Sequence, residues 1–92
     1  MKHDYVKLRH ISILSVAHAL SMELVRTGGE TWNRREGKKI TSLTLFTKTN
    51  TFYRFSGKTS GGVCGGSPLD LVMHARDCSL QEAAQFLTSH FL

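Results

Sequence analysis

Ninety-two residues carrying a formal charge of +5 make one domain near the lower size limit for folding without a covalent or metal staple. No apolar run approaches the ~20 residues of a membrane span, and no signal-type leader follows Met1-Lys2-His3-Asp4-Tyr5. The composition, 40% hydrophobic and 21% charged, excludes disorder, and with two cysteines (Cys64 and Cys78) it points to a cytoplasmic globular protein with reduced thiols, a single disulfide being the alternative.

Residues 1–10 are polar and read as a flexible lead, with Tyr5 and Val6 as anchors. Behind Ser12, a plausible N-cap, Ile11, Leu14, Val16, Ala17 and Leu20 recur at three- and four-residue steps. That spacing predicts a short amphipathic helix over 12–21. Residues 22–27 read as a short strand ended by Gly28-Gly29, with Thr31-Trp32 continuing it after the turn. The clearest β signal is Ile40 to Thr47, alternating and rich in β-branched residues. Lys48-Thr49-Asn50 supplies a turn, and Thr51 to Phe55 returns as the partner strand, with Phe52 and Arg54 on one face and Tyr53 and Phe55 on the other. Which aromatic face turns outward is left open by the pattern. Residues 56–66 hold five glycines and read as a flexible loop. Ser67-Pro68-Leu69-Asp70 and Ser79-Leu80-Gln81-Glu82 are capping boxes that open two final helices. The expected fold is a single α+β domain, residues 1–92: a short helix, an antiparallel sheet of about three strands, then two helices.

Charge placement says more than charge total. Between residues 33 and 58 stand seven basic residues, Arg34, Arg35, Lys38, Lys39, Lys48, Arg54 and Lys58, against one acidic residue, Glu36. The rest of the chain has five basic and six acidic residues. A positive field concentrated in one hairpin favours a polyanion such as nucleic acid; the plain alternative is a solvated hairpin with solubilising lysines. Among these cations lie Trp32, Phe46, Phe52, Tyr53 and Phe55. Single-strand binders combine a basic track for phosphates with ring faces for bases. Trp32, Phe52 and Tyr53 are therefore the candidate stacking residues and the seven cations the candidate phosphate contacts, although any one ring is as readily core.

Other chemistry finds less support. Glycine pairs running into Pro68 suit a phosphate at a helix N-terminus, but more readily a connector needing positive φ. Gly57-Lys58-Thr59 echoes the end of a phosphate loop, yet Phe52 stands where that motif needs glycine. His74 and Cys78 are spaced i, i+4, with Cys64 upstream, but no close ligand pair of zinc-site type exists. With no paired carboxylates or nucleophile-base set either, the sequence reads as a non-enzyme without metal or cofactor.

The order of these features resembles the N-terminal CHC-type zinc-finger domain of bacterial DNA primases. It is closer to the degenerate form at the start of Toprim-containing primase-like proteins of plasmids and conjugative elements. The resembling stretch runs from about Ser12 to Phe91. It comprises Ile13-Leu14-Ser15-Val16-Ala17-His18-Ala19-Leu20, then Thr41-Ser42-Leu43, then Asn50-Thr51-Phe52-Tyr53. Gly65-Gly66-Ser67-Pro68-Leu69-Asp70-Leu71-Val72 and Leu80-Gln81-Glu82-Ala83-Ala84-Gln85-Phe86-Leu87 complete it. The family's zinc ligands fall near Asn33, Glu36, Phe55 and Lys58, which form no zinc set, so the resemblance implies a zinc-free finger with a hairpin held by side-chain packing. It implies contact with single-stranded DNA, as an accessory to replication or mobilisation, without the Toprim carboxylates of polymerisation. A basic hairpin that docks a larger enzyme, as a protein-interaction or inhibitory adaptor, is the alternative.

Overall fold

In the computed structural model the described residues are 4–57 and 59–92. Helices α1 (Tyr5–Arg9) and α2 (Ile13–Ala19) precede strands β1 (Glu23–Arg26), β2 (Thr31–Glu36), β3 (Lys39–Phe46), β4 (Thr51–Arg54) and β5 (Gly65–Gly66). Helices α3 (Pro68–Arg76) and α4 (Leu80–Phe91) follow. The strands form one antiparallel meander in the order β1-β2-β3-β4-β5.

The α+β class and the element order agree with the sequence reading, but five strands replace about three. Thr31-Trp32 opens a full six-residue strand, whose Thr-Trp-Asn-Arg-Arg-Glu sequence lacks apolar alternation. Its pairing with β1 includes a cross-strand contact of Arg35 with Glu23. The fifth strand is the pair Gly65–Gly66, inside the stretch read as a loop. A Cβ at Gly65 would lie 2.7 Å from Cδ1 of Tyr53, so the absent side chain is what admits both the strand pairing and the Tyr53 ring above it.

The remaining loop residues are bound to α3. His74 is buried and its Nδ1–H donates to the Val63 carbonyl at 2.8 Å. Asp77, in the left-handed region at φ 48°, accepts from the Gly61 N–H at 2.7 Å. Gly61 itself has φ 62°, and a Cβ there would collide with the Met73 carbonyl; both conditions demand glycine.

At the N-terminus, Tyr5–Arg9 form helix α1 within the polar lead. Asp4 caps α1 through Lys7; Leu8, fully buried, and Tyr5, half-buried against the core, anchor the segment, while Val6 is exposed. Ser12 makes no side-chain cap to α2. Instead the Asn50 side chain, on the β3–β4 turn, accepts from the Ile13 N–H at 2.8 Å and donates to the carbonyls of Ile11 and Arg9. Both predicted capping boxes, Ser67 with Asp70 and Ser79 with Glu82, are formed.

The core joins one sheet face to the helices. Leu43, Leu45 and Phe52 point inward to Leu8, Ile13, Val16, Leu69, Val72 and Leu87. Strand alternation then fixes the opposite face, which among the described residues carries no helix and presents Phe46, Tyr53 and Phe55.

Candidate nucleic-acid interface

The open face is built by register. Leu45 pairs with Phe52 and Thr44 with Tyr53, so inward Leu45 carries Phe52 into the core and sends Tyr53 outward. Phe52 is 2% exposed, Tyr53 43% and Phe55 64%. Tyr53 and Phe55 meet edge-to-face with centroids 4.9 Å apart, and Phe46 and Phe55 do so at 6.3 Å. Such contacts hold rings in place by about 0.5–1.5 kcal/mol per pair. Thr44, on this open face between Phe46 and Tyr53 positions, is nonetheless 8% exposed, which shows how closely the surrounding side chains fold over it. Ile40 extends the apolar surface and is 51% exposed.

The expected site is therefore partly corrected. Phe52 belongs to the core and offers no face to a ligand. Trp32 pairs with Leu45 and lies against the core on the helix side. Tyr53 lies exposed on the open face, where Phe55 and Phe46 join it instead of Phe52 and Trp32.

The cations divide between the two faces and the turns. Arg35 shares the open face with Glu23, its Nε 3.5 Å from Glu23 Oε2. Lys38 and Lys39 are exposed at the β2–β3 turn and Lys48 at the β3–β4 turn, so lysines flank the ring cluster along the strands. Arg34 and Arg54 have the strand parity of Leu24 and Leu43 partners and stand on the helix side, each half-buried. Lys58 lies outside the described residues.

The positions that the zinc resemblance points to do not fit a metal. Asn33 spends its amide on protein partners, accepting from Thr27 Oγ1 at 2.6 Å and donating to the Thr41 carbonyl and Thr44 Oγ1 at 3.0 and 2.9 Å. Glu36 contacts Arg34 at 3.7 Å, and Phe55 has no donor atom. Among the described residues no cluster of three His, Cys, Asp or Glu side chains could hold an ion. The hairpin is instead held by the Asn33 amide network and the ring cluster.

No protein-family model and no curated protein matches the chain. Among solved structures it is similar to the Aquifex aeolicus primase, in a crystal structure of the zinc binding and RNA polymerase domains, with a TM-score of 0.71 and 24% identity over 99% of this chain. The chain has a primase zinc-binding-like fold. It spans 22% of that primase chain. At this identity the likeness speaks for the fold, and the site rests on this chain's own residues.

Away from the sheet, Cys64 and Cys78 are free thiols, both half-buried. Burial foremost, then Glu82, pushes the Cys78 thiol above its ordinary value of 9.0, with Asp77 adding to this and Arg76 opposing it. The thiolate is the reactive form, so Cys78 is expected to alkylate slowly with iodoacetamide at pH 7–8 and to go on accelerating with pH past 9 without levelling off. Its sign in stability follows: a thiol whose value is raised by folding favours the folded state below the unfolded value, and that contribution disappears as pH climbs through the folded one. Mass-spectrometric labelling rates at Cys78 between pH 7 and 10 check this; a plateau already reached at pH 8 would contradict it.

Among the described residues no helix is long and apolar enough to cross a membrane.

Proposed function

We propose that this chain is a nucleic-acid-binding module that contacts single-stranded DNA through the open sheet face and catalyses nothing itself. The observation that carries the reading is the helix-free face bearing Phe46, Tyr53 and Phe55 with lysines at both turns. Rings with free faces stack on any base, and lysines beyond them meet the phosphates on either side. The name of the similar primase supports the choice of nucleic acid over other polyanions. A cytoplasmic accessory role in replication or mobilisation of a mobile element accords with the sequence resemblance.

Fluorescence anisotropy of a labelled oligothymidine at graded salt tests the reading. With about four cations at phosphates, log affinity is expected to fall with log salt at a slope near −3, from ~0.7 per contact on single strands. Absent binding at low salt, or affinity indifferent to salt, would refute it.

Ile40 favours a second reading. An exposed aliphatic side chain beside the rings adds nothing to base stacking but suits a protein surface. In that case the same face docks a larger enzyme as an adaptor. A stoichiometric protein partner that survives nuclease treatment, and is lost in Ile40→Ser, distinguishes it.

A further inference from the structure

The ring platform leaves Arg34 and Arg54 unused, and their placement is unusual for cations of a solvated hairpin. Arg34 lies opposite Leu24 and Arg54 opposite Leu43, on the sheet face turned toward the helices. Strand β3 with Leu43 runs between them, so their backbones stand two strand spacings apart, about 10 Å. In both, the Nε atom is buried and lacks a hydrogen-bond partner. Both residues are nevertheless only half-buried, the Arg34 side chain 31% exposed, so part of each side chain reaches solvent beyond the buried Nε. Among the described residues, Arg34 pairs only with Glu36, 3.7 Å from its Nη1 and itself 59% exposed, and Arg54 has no ion pair.

Two arginine forks fixed on either side of a leucine, and short of anionic partners, have the make-up of an oxyanion clamp. Guanidinium matches phosphate oxygens in a planar, two-point fashion that lysine does not reproduce. Side chains held at a buried Nε also lose less rotamer freedom on binding. We propose that Arg34 and Arg54 form a phosphate-binding pair on the helix side of the sheet, separate from the ring face. The proposal rests on the polyanion part of the function above. The phosphate comes either from a strand backbone or from the terminal group of a small phosphate ester.

The Nε–H signals of Arg34 and Arg54 in proton–nitrogen correlation spectra report on both side chains at once. Sodium pyrophosphate is expected to shift the two signals together and saturably, while sodium chloride at equal ionic strength leaves them in place. Arg34→Lys is expected to weaken pyrophosphate binding, read at Arg54, by about tenfold through loss of the two-point contact. Shifts that do not saturate, or an Arg54 response unchanged by Arg34→Lys, overturn the pair. Should Arg34→Lys fail to fold, Glu36→Gln removes the competing carboxylate and is expected to tighten pyrophosphate about twofold to threefold; unchanged affinity again overturns it. Oligothymidine moving the same signals identifies a strand backbone as the source. Signals that respond to pyrophosphate and not to oligothymidine keep the clamp and assign it to small phosphate esters, while strand binding on the ring face is decided separately by the anisotropy titration.

Discussion

Replacing Tyr53 and Phe55 together by leucine is expected to weaken oligothymidine binding by about 100-fold or more, since each stacked base contributes ~1–3 kcal/mol. Leucine keeps an apolar side chain at each position, so the outer face loses its ring surfaces while the core is untouched. Both residues lie outside the core, exposed at 43% and 64%, and the melting temperature should move by a few degrees at most. No charge changes, so the salt slope should stay as in the parent protein. Phe52→Leu is the control. At 2% exposure it should cost stability and leave the affinity of the folded protein intact. Anisotropy titrations with parallel thermal melts decide the matter. A double variant within threefold of the parent, or a Phe52→Leu protein that folds but does not bind, removes the stacking surface from this face.

Why the sequence left this face open is a matter of one residue in a turn. A three-residue turn over 48–50 pairs Thr47 with Thr51, which sets Leu45 opposite Tyr53 and carries Tyr53 inward. The structure pairs Phe46 with Thr51 and Leu45 with Phe52, so the turn has four residues, 47–50. A shift of one residue exchanges the faces of a strand. The alternation of Leu43 and Leu45 was legible; the register that assigns the partner rings to a face was not. Asn50 at φ 57° carries the missing information, because a residue that tolerates the left-handed region can close the longer turn.

The same distinction runs through the fold. The two capping boxes each announce a helix start by local chemistry, and α3 and α4 begin where Pro68 and Leu80 stand in the sequence. Elements defined by their neighbours were hidden. Strand β2 has no apolar period because it is shaped by β1 and β3 on both sides, and Gly65–Gly66 becomes a strand because β4 needs an edge partner that Tyr53 can overlie. The basic hairpin was legible as charge, but its division between faces depends on strand parity, which separates Arg34 and Arg54 from Arg35.

Asn50 makes the most consequential of these hidden contacts. Its Oδ1 accepts from the Ile13 N–H, and its Nδ2 donates to Ile11 and Arg9 carbonyls, so one turn of the sheet serves as cap for α2 and closes the junction with α1. Asn50→Ala loses all three bonds, at about 1 kcal/mol each, and places a Cβ without local compensation in the left-handed region, costing roughly 1 kcal/mol more. The sum of about 4 kcal/mol is a large part of the ~5–14 kcal/mol that holds a domain of this size together. A fall in melting temperature of roughly 15–30 °C is expected, at ~4–8 °C per kcal/mol. Asn50→Gly loses the same bonds and relieves the backbone, so it should melt several degrees above the alanine variant. Asn50→Asp retains the acceptor for Ile13 but turns carboxylate oxygen toward two carbonyls, and belongs nearer to alanine than to the parent. Calorimetry on the three variants gives the order parent, then glycine, then alanine, with aspartate closer to alanine than to the parent. If alanine melts within 5 °C of the parent, the turn does not secure the helices, and the register that exposes the ring face has to be held by the sheet alone.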